Sequence, residues 1–367
     1  MRIISFSHDA NLFGAQRSLL TLLTGLKKRN HDVTLVVPGE GDLTEAIKQS
    51  DVDWSVVPYP YPSLKSHKFL SFLKNYAEPA KKIRQIVNES NPDLVHFNTA
   101  ACVAPAMALR KSSVTKIWHL RERAPQRWLL ERLINRWSDH VIANCHDTGS
   151  AYHMLNRLGK ISIVHNGLDL KLPKAEAVSQ MRSELGWKDG ELTIAFAGNL
   201  LPHKNPLAVA EAVAILRERN IPCKACILGE GILKETIVKK IDQMGLTGDV
   251  ILPGFVQNTS DYLAAADVVV IPSLVEPFPR VGLEAMALSK PIVGTTVGGM
   301  QEQTVSGETG MLVPPRNSEA IADALQKLAA NKDLLLSLGK AGFRRYQELF
   351  TSRAYVDGFT ATIDKLS

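Results

Sequence analysis

The chain has 367 residues, of which 45% are hydrophobic and 22% are charged, a balance that excludes intrinsic disorder and collagen-like repetition. This length exceeds one ordinary domain and suits two. No apolar run approaches the ~20 residues of a membrane-spanning helix, and the N-terminus alternates like a strand rather than a secretion signal. Four cysteines are also too few for a disulfide-rich secreted fold. We therefore expect a cytoplasmic protein of two domains.

The net charge of +6 is concentrated in the first half of the chain. Residues 1–170 hold 22 Lys and Arg against 15 Asp and Glu, whereas the remainder holds 21 against 22. Two segments, 65–84 and 110–136, carry much of the excess, and in 65–84 the lysines alternate with aromatic residues and leucines. This pattern favours either a solvated helix that packs on its own domain or a helix on an anionic membrane. No nucleic-acid partner is predicted.

Strand and helix patterns alternate along the first half. The predicted helices begin with 17–28 and 44–49, and the predicted strands are 3–7, 32–37, 54–57, 94–97, 116–119, 141–144 and 161–164. Strands separated by helices are typical of parallel βαβ units. The first half therefore predicts a doubly wound parallel sheet.

The same alternation restarts after a polar segment that contains Pro173. The predicted strands of the second half are 192–197, 223–228, 250–252, 268–271, 291–294 and 310–313, and the last predicted helices are 317–328, 333–346 and 351–366. We predict an N-terminal Rossmann-like domain over 1–169, a linker over 170–190 and a C-terminal Rossmann-like domain over 191–350. The terminal helix, about 351–367, is expected to pack back on the first domain. Because ligands of such sheets bind at the carboxyl ends of the strands, the cleft between the domains is expected to carry the function.

In each half of the chain, a turn that contains glycine follows the first predicted strand. Gly14 precedes a predicted helix without a GxGxxG pattern, so a dinucleotide site has no support. A glycine there lets backbone amides approach a phosphate, although an ordinary turn glycine is the common alternative. Gly198 opens the matching turn of the second half, and Lys204 near the next helix could hold a diphosphate or be a surface lysine. Gly229 and Gly231 repeat the arrangement one unit later.

The most informative segment places Glu276 at the carboxyl end of a strand and Glu284 inside the following helix. Backbone amides between Pro279 and Gly282 would face an anion at that helix N-terminus. A carboxylate beyond the anion can accept both hydroxyls of a ribose. The segment therefore predicts a nucleotide site at this strand end.

In this order of features the sequence resembles the family-4 retaining glycosyltransferases of the GT-B fold over nearly its whole length. The matching pieces are Gly14-Ala15-x-Arg17, the run Val164-His165-Asn166-Gly167-Leu168-Asp169, Gly198 with Lys204, the run Leu228-Gly229-Glu230-Gly231, Glu276 with Glu284, and Gly298-Gly299 with Gly307 and Gly310. The resemblance implies an α/β fold of two Rossmann-like doubly wound domains that face across a cleft. It also implies transfer of a sugar from a nucleotide diphosphate donor with retention of configuration, without a cofactor or metal.

The resemblance assigns roles to particular residues. Gly14 and Lys204 would meet the diphosphate, Glu284 the ribose and Glu276 the transferred sugar. His119 would lie beside the reaction centre, and the first domain would bind the acceptor. The remaining residues expected at the donor are Asn199, Phe255 and Val256 by the base, Phe278, Pro279, Arg280 and Val281.

Three departures from the family pattern affect the diphosphate site. Asn199 stands where many members have arginine, Asn205 where glycine usually follows the lysine, and Pro279 where glycine is common. Since the family generally supplies two cations, Arg280 is a candidate for the second one. A divalent metal, Arg121 or Arg123 are the alternatives.

The predicted activity is transfer of a hexose from a UDP-sugar to a glycan or lipid-linked glycan, at the inner membrane face, as in bacterial polysaccharide assembly. A nucleotide-sugar epimerase of the same architecture and a non-catalytic nucleotide-binding relative are the alternatives. Cys223 and Cys226 form a C-x2-C pair without a second pair, so all four cysteines are interpreted as core residues.

Overall fold

The structure is a computed structural model that describes residues 1–61, 72, 74–123 and 128–366. The chain divides into two compact units. Unit 1 comprises Met1–Leu168 and Ser352–Ser367, and unit 2 comprises Asp169–Thr351.

Unit 1 is built on a parallel sheet with seven strands in the described part of the chain. These strands are β1 (Arg2–Phe6), β2 (Asp32–Val37), β3 (Asp53–Val56), β4 (Leu94–Phe97), β5 (Thr115–Leu120), β6 (His140–Ala143) and β7 (Ile161–Ile163). Their order across the sheet is β3-β2-β1-β4-β5-β6-β7. The chain winds outward from β1 to β3 and then returns to β4, so the winding direction changes between β1 and β4. In doubly wound sheets a crevice for ligands opens at this switch point, at the carboxyl ends of the strands.

The helices of unit 1 between the strands cover both faces of this sheet. They are α1 (Gly14–Lys27), α2 (Asp42–Lys48), α3 (Ala77–Ser90), α4 (Val103–Ala108), α5 (Trp128–Trp137), α6 (His146–Ser150) and α7 (His153–Arg157). The spacing of Leu19, Leu22, Leu23 and Leu26 places all four on one side of α1, where they are fully buried. The strands are buried from both sides, as β4 shows with four buried residues.

Unit 2 repeats the same topology with six parallel strands. These are β8 (Leu192–Ala197), β9 (Cys223–Leu228), β10 (Val250–Gly254), β11 (Val268–Ile271), β12 (Ile292–Thr295) and β13 (Gly310–Val313). Their order is β10-β9-β8-β11-β12-β13, so the switch point lies between β8 and β11. Two doubly wound parallel sheets confirm the predicted α/β fold class.

The helices of unit 2 include one that the sequence did not indicate. They are α8 (Ala175–Glu184), α9 (Leu207–Glu218), α10 (Lys234–Gln243), α11 (Thr259–Ala265), α12 (Arg280–Ala287), α13 (Met300–Gln303), α14 (Ser318–Ala330) and α15 (Lys332–Leu349). Helix α8 lies inside the segment predicted as a linker, and Arg182 fixes it by donating to the Ala265 carbonyl at 2.6 Å. No residue of α8 is fully buried, so the apolar stripe that usually reveals a helix is missing. Part of the segment predicted as a linker thus forms a helix of unit 2.

The last helix, α16 (Ser352–Asp364), belongs to unit 1 although unit 2 precedes it in the chain. It packs on α1, where Val356 lies so close to Gly25 that a Cβ on this glycine would overlap it. Tyr355 and Phe359 are buried in the core of unit 1. The end of the chain therefore belongs to its first unit.

Candidate functional site

The turn after β8 is held by two glycines of the neighbouring loop. Gly229 has a φ of +129°, and a Cβ on it would overlap the carbonyl oxygen of Gly198. Gly231 has a φ of +157°, and its Cβ would meet the carbonyl oxygen of Leu200 at 2.5 Å. The two loops also share hydrogen bonds, with the Gly198 amide donating to the Leu228 carbonyl at 3.1 Å. The glycines that the sequence singled out therefore bring two loops together at the carboxyl edge of the sheet.

Lys204 ends a short 3-10 helix, Pro202–Lys204, that leads from this turn towards α9. Asn205 follows in the left-handed conformation, with a φ of +51°. Asparagine tolerates this conformation better than other residues with a side chain, which explains how it can stand at a glycine position of the family. The departure at Asn205 is therefore compatible with the turn. The Leu274 amide donates to the His203 carbonyl at 2.7 Å and ties this turn to the loop after β11.

These two loops bring Lys204 and Glu276 into contact at the switch point of unit 2. The Lys204 Nζ and the Glu276 Oε2 form an ion pair, in which the lysine side chain is 25% exposed and the glutamate side chain 6%. Ser273 donates from its hydroxyl to the same Oε2 at 3.0 Å. The Ser273 carbonyl in turn accepts from the Thr295 hydroxyl at 2.5 Å. The buried carboxylate is thus fixed by Ser273, and the ammonium group is partly exposed. An anion bound here could compete with the carboxylate for the lysine, or both could contact the lysine at once.

The loop that leads from Glu276 into α12 is held by close backbone packing at Gly299 and by a hydrogen bond from the Gln303 side chain. A Cβ on Gly299 would overlap the Pro277 carbonyl oxygen, and the Gly299 amide donates to that oxygen at 2.9 Å. The buried Gln303 donates from Nε2 to the Pro279 carbonyl at 3.0 Å. Pro279 caps α12 with a φ of −71°, an angle that proline prefers, so the family's glycine is not required here. The loop therefore presents the N-terminus of α12 in a fixed orientation.

The other predicted donor residues lie on loops and on α12 at this edge of unit 2, and they differ in exposure. Asn199 is exposed, Phe255 is 71% exposed directly after β10, and Val256 is half-buried. Arg280, Val281 and Glu284 lie on the first turns of α12 and are half-buried. Phe278 differs, because its ring is buried and packs on Phe350 at a centroid distance of 5.6 Å. The Phe278 side chain therefore anchors the loop between β11 and α12 in the core. The donor contacts themselves stay predictions.

Gly14 is the first residue of α1, at the switch point of unit 1. It is exposed, its φ is not positive, and a Cβ on it would meet no atom within 4 Å. The local fold therefore does not require glycine at this position. The predicted role of Gly14 at the diphosphate stays a prediction.

His119 lies in a buried polar cluster of unit 1 rather than on a surface. None of its side chain is exposed, and its Nδ1 lies 3.4 Å from the His96 Nε2 and 3.4 Å from the Arg121 guanidinium. His96 is anchored by the Ser5 hydroxyl at 2.8 Å. The predicted contact of His119 with a substrate stays a prediction, and its complete burial counts against direct contact.

Burial keeps both histidines of this cluster uncharged at neutral pH. Desolvation, helped by the Arg121 charge, lowers the pKa of His96 to about 3. Desolvation also lowers the pKa of His119 well below its usual range, with Arg121 and His96 as further causes. Charging either ring would place a second cation beside Arg121.

Arg121 is held by residues that follow two strands and by the last helix. Its Nε donates to the Asn98 carbonyl at 3.2 Å and to the Asn98 side chain at 2.9 Å. One terminal nitrogen donates to the Asn166 Oδ1 at 2.6 Å and the other to the Tyr355 hydroxyl at 2.7 Å. The sequence indicated Asn166 only as part of a family motif. In the structure its side chain accepts a hydrogen bond from Arg121.

Sequence reasoning missed the supporting residues of both sites. Ser273 and Thr295 on unit 2, and Asn98 and Tyr355 on unit 1, carry no motif. The only signal was their position at or just beyond the end of a buried strand, or on the terminal helix, which many polar residues share.

The remaining sequence expectations concern metals, thiols and membranes. Among the described residues no group of three or more His, Cys, Asp and Glu could hold a metal ion, and the expectation of a metal-free reaction stays a prediction. All four cysteines are buried and free, and burial raises the pKa of Cys226 to about 12. In the described ranges, no helix combines the length and apolar character that crossing a bilayer requires. Much of the basic segment 65–84 lies outside the described residues.

The chain has two doubly wound sheets, and one switch point carries a lysine–glutamate pair and a helix N-terminus. This arrangement places the chain in the class of GT-B glycosyltransferase folds. The family comparisons agree with this class. Residues 14–172 match the model of glycosyltransferase family 4, and residues 178–345 match that of glycosyl transferases group 1. The chain belongs to the family-4, group 1 glycosyltransferases.

Curated relatives of this chain carry glycosyltransferase names at moderate identity. D-inositol 3-phosphate glycosyltransferase of Rhodococcus erythropolis is 30% identical over 62% of this chain and 54% of its own length. The putative glycosyltransferase EpsD of Bacillus subtilis is 25% identical over 77% of this chain and 80% of its own. The chain spans about half the length of the first of these relatives.

Solved structures with the same fold include HepE of Anabaena. Its crystal structure in complex with UDP has a TM-score of 0.85 and 23% identity, and covers 100% of both chains. The same protein in complex with UDP-glucose gives a TM-score of 0.84 at 22% identity. At these identities the likeness shows the fold.

Proposed function

We propose that this protein is a retaining glycosyltransferase that moves a hexose from a UDP-sugar to a glycan or lipid-linked glycan acceptor. The Lys204–Glu276 pair at the switch point of unit 2 is the observation that carries the proposal. A sugar nucleotide has a diphosphate for the lysine and sugar hydroxyls for the carboxylate. The family membership and the complexes of HepE with UDP and UDP-glucose support this choice of donor.

The reaction would break the bond between the sugar C1 and the diphosphate and form a new bond from C1 to an acceptor oxygen. Lys204 would stabilise the negative charge that develops on the leaving diphosphate, together with the amides at the N-terminus of α12. Glu276 would accept hydrogen bonds from sugar hydroxyls and fix the ring. Glu284, one turn further along α12, would accept the ribose hydroxyls.

The test is to incubate the full chain with UDP-glucose, UDP-galactose and UDP-N-acetylglucosamine, with and without lipid-linked glycan extracts. Release of UDP and a labelled product would support transfer, and NMR of the product would report its anomeric configuration. A new sugar nucleotide formed from donor alone would instead identify an epimerase. Binding of UDP without any turnover would identify a non-catalytic relative.

Glu284→Ala provides a residue-level test of the nucleotide part of this proposal. Loss of the carboxylate leaves ribose hydroxyls unpaired, so UDP binding should weaken by about 1–3 kcal/mol. Calorimetry with UDP and with the 2′-deoxy nucleotide measures this. If the ribose is the partner, the variant discriminates between the two nucleotides less than the parent protein does. Unchanged discrimination would remove the assignment.

Polysaccharide assembly at the inner membrane face is the cellular role that we propose, and α5 supplies a surface for contact with an anionic membrane. On this helix Trp128 is 64% and Leu129 45% exposed, and the Arg132 guanidinium lies 4.9 Å from the Trp128 ring centroid. Aromatic and cationic side chains together suit the headgroup region. Sedimentation with vesicles of anionic and neutral lipid tests this. Binding that is absent, or insensitive to salt, would contradict it.

A further inference from the structure

Arg121 is a buried cation in unit 1 whose contacts are all with neutral groups. Its exposed fraction is 6%, and its guanidinium binds two asparagines, one tyrosine hydroxyl and a histidine ring that burial keeps neutral. Among the residues that the structure describes, no aspartate or glutamate side chain comes within ion-pair distance of it. Buried arginines are normally paired with a carboxylate, because an uncompensated charge in a low-dielectric interior is costly.

The surroundings of Arg121 hold its guanidinium in one orientation. Asn98 follows β4, Asn166 follows β7, and Tyr355 lies on α16, so three elements fix the fork. Asn98 is itself tied to α1, because its Nδ2 donates to the Ala15 carbonyl at 3.4 Å. The cation is therefore preorganised.

The location of Arg121 is the edge where a doubly wound sheet binds ligands. It is the first residue after β5, at the carboxyl ends of the strands and one strand away from the switch point between β1 and β4. The other groups beside it, His96 and His119, add no negative charge. The missing counter-charge is therefore expected from outside the protein.

We propose that Arg121 binds a phosphate-type oxyanion of a substrate at the carboxyl edge of the unit 1 sheet. The contacts with Asn98, Asn166, Tyr355 and His119 use four of the five guanidinium N–H groups, so one N–H and the positive charge are left for such an oxyanion. Asn98, Asn166 and Tyr355 are positioning residues that hold the guanidinium before the ligand arrives. This inference rests in part on the proposed function, since the oxyanion can belong to the donor diphosphate or to an anionic acceptor.

The experiment compares Arg121→Gln and Arg121→Lys with the parent protein by calorimetry, after thermal unfolding has shown that each variant folds. The control is Arg157→Gln, which removes an exposed arginine of the same unit. UDP and uridine are the first pair of probes. If the oxyanion belongs to the donor, Arg121→Gln weakens UDP at least tenfold and leaves uridine unchanged, and Arg121→Lys recovers part of the loss.

Inorganic phosphate added to protein saturated with UDP is the second probe. If the oxyanion belongs to the acceptor, phosphate binds to the parent protein and to Arg157→Gln, whereas Arg121→Gln loses this binding at unchanged UDP affinity. Parent-like binding of UDP and of phosphate by Arg121→Gln would overturn the proposal. An equal loss in Arg157→Gln would also overturn it, since it would show general attraction to a basic surface.

Two further measurements keep the outcome decisive. If Arg121→Gln does not fold, Tyr355→Phe retains the charge but removes one positioning contact. It should weaken the affected probe two- to fivefold, and parent-like binding would overturn the proposal. The phosphate probe requires no sugar transfer. Failure of the protein to turn over any sugar nucleotide would therefore refute the proposed function without deciding the role of Arg121.

Discussion

The carboxyl edges of the two sheets share a strand order but differ in how they carry charge. On unit 2 a partly exposed lysine pairs with a carboxylate, and both side chains come from loops. On unit 1 a buried arginine contacts neutral groups, among them the uncharged His119, and His119 in turn lies beside the uncharged His96. The same topology therefore brings polar residues to the same place, whereas the loops and the terminal helix decide which chemistry they perform. Unit 2 presents a partly exposed charge pair, and unit 1 a buried cation held by neutral partners.

The glycines of the two edges show a second contrast. Gly229 is required by the fold of unit 2, since its φ is positive and a Cβ would strike backbone. Gly14 has open space around it and an ordinary φ. A glycine that the fold requires and a glycine that the fold does not require should respond differently to replacement by alanine.

The largest expected effect breaks the charge pair of unit 2. Lys204→Ala removes the cation that would stabilise the leaving diphosphate, and turnover of the sugar nucleotide should fall on the order of 10²–10³-fold. The loss should appear mainly in kcat. Steady-state UDP release measures it, with the exposed Lys188→Ala as the matched control. A decrease of less than threefold would show that the pair is structural.

Gly229→Ala tests whether the turn of unit 2 depends on its glycine. Strain at the positive φ and the collision with Gly198 should destabilise unit 2 by about 2–3 kcal/mol. The midpoint of guanidinium unfolding reports this. Gly190→Ala is the matched control, because Gly190 has a φ of +89° but no atom within 4 Å of a Cβ, so only the backbone strain remains. Equal losses in the two variants would mean that the collision contributes nothing.

Acid should destabilise unit 1 before unit 2. His96 and His119 bind protons in the unfolded chain near pH 6.5 but not in the fold, where burial lowers the pKa of both, that of His96 to about 3. The contribution of these two rings to the free energy of unfolding is therefore fully present above pH 6.5. It is lost as the pH decreases below 6.5, by up to about 1.4 kcal/mol per pH unit for each ring. Unit 2 contains a single histidine, the exposed His203.

Tryptophan fluorescence can resolve this acid effect by unit. Trp187 is the one tryptophan of unit 2, so Trp187→Phe leaves reporters in unit 1 alone. Unfolding of this variant between pH 7.5 and 5 should show the predicted slope, and His96→Gln in the same background should reduce it. An identical slope with and without His96→Gln would assign the acid sensitivity to other groups.

The smallest effect on stability is expected at Gly14. Gly14→Ala should change the free energy of unfolding by less than about 0.5 kcal/mol, because the new methyl group meets open space at a helix start. Its affinity for UDP should nevertheless fall several-fold if a phosphate approaches the backbone there. Calorimetry with UDP decides this. Unchanged affinity would make Gly14 an ordinary turn residue and sharpen the contrast with the site on unit 2.

The sequence predicted the strands of both sheets closely because each is a short apolar run bounded by turns. The strand predicted at 268–271, for example, coincides with β11, and 310–313 with β13. It failed to indicate α8, which has no buried face, although ties such as that of Arg182 to Ala265 hold it in place. Local pattern succeeds where burial is periodic and fails where single long-range contacts fix an element.

By itself the sequence determined the fold class, since glycine turns and strand periodicity are local properties, and its motifs resembled those of the family. The nucleotide site predicted from the Glu276–Glu284 spacing stays a prediction. Only the tertiary structure decided what surrounds these residues. In the structure Ser273 donates a hydrogen bond to Glu276, and His119 is fully buried. Tyr355, near the end of the chain, accepts a hydrogen bond from Arg121, which lies 234 positions earlier in the sequence. Such contacts depend on packing between distant segments. The energy of a buried charge is set by those neighbours, which no local pattern records.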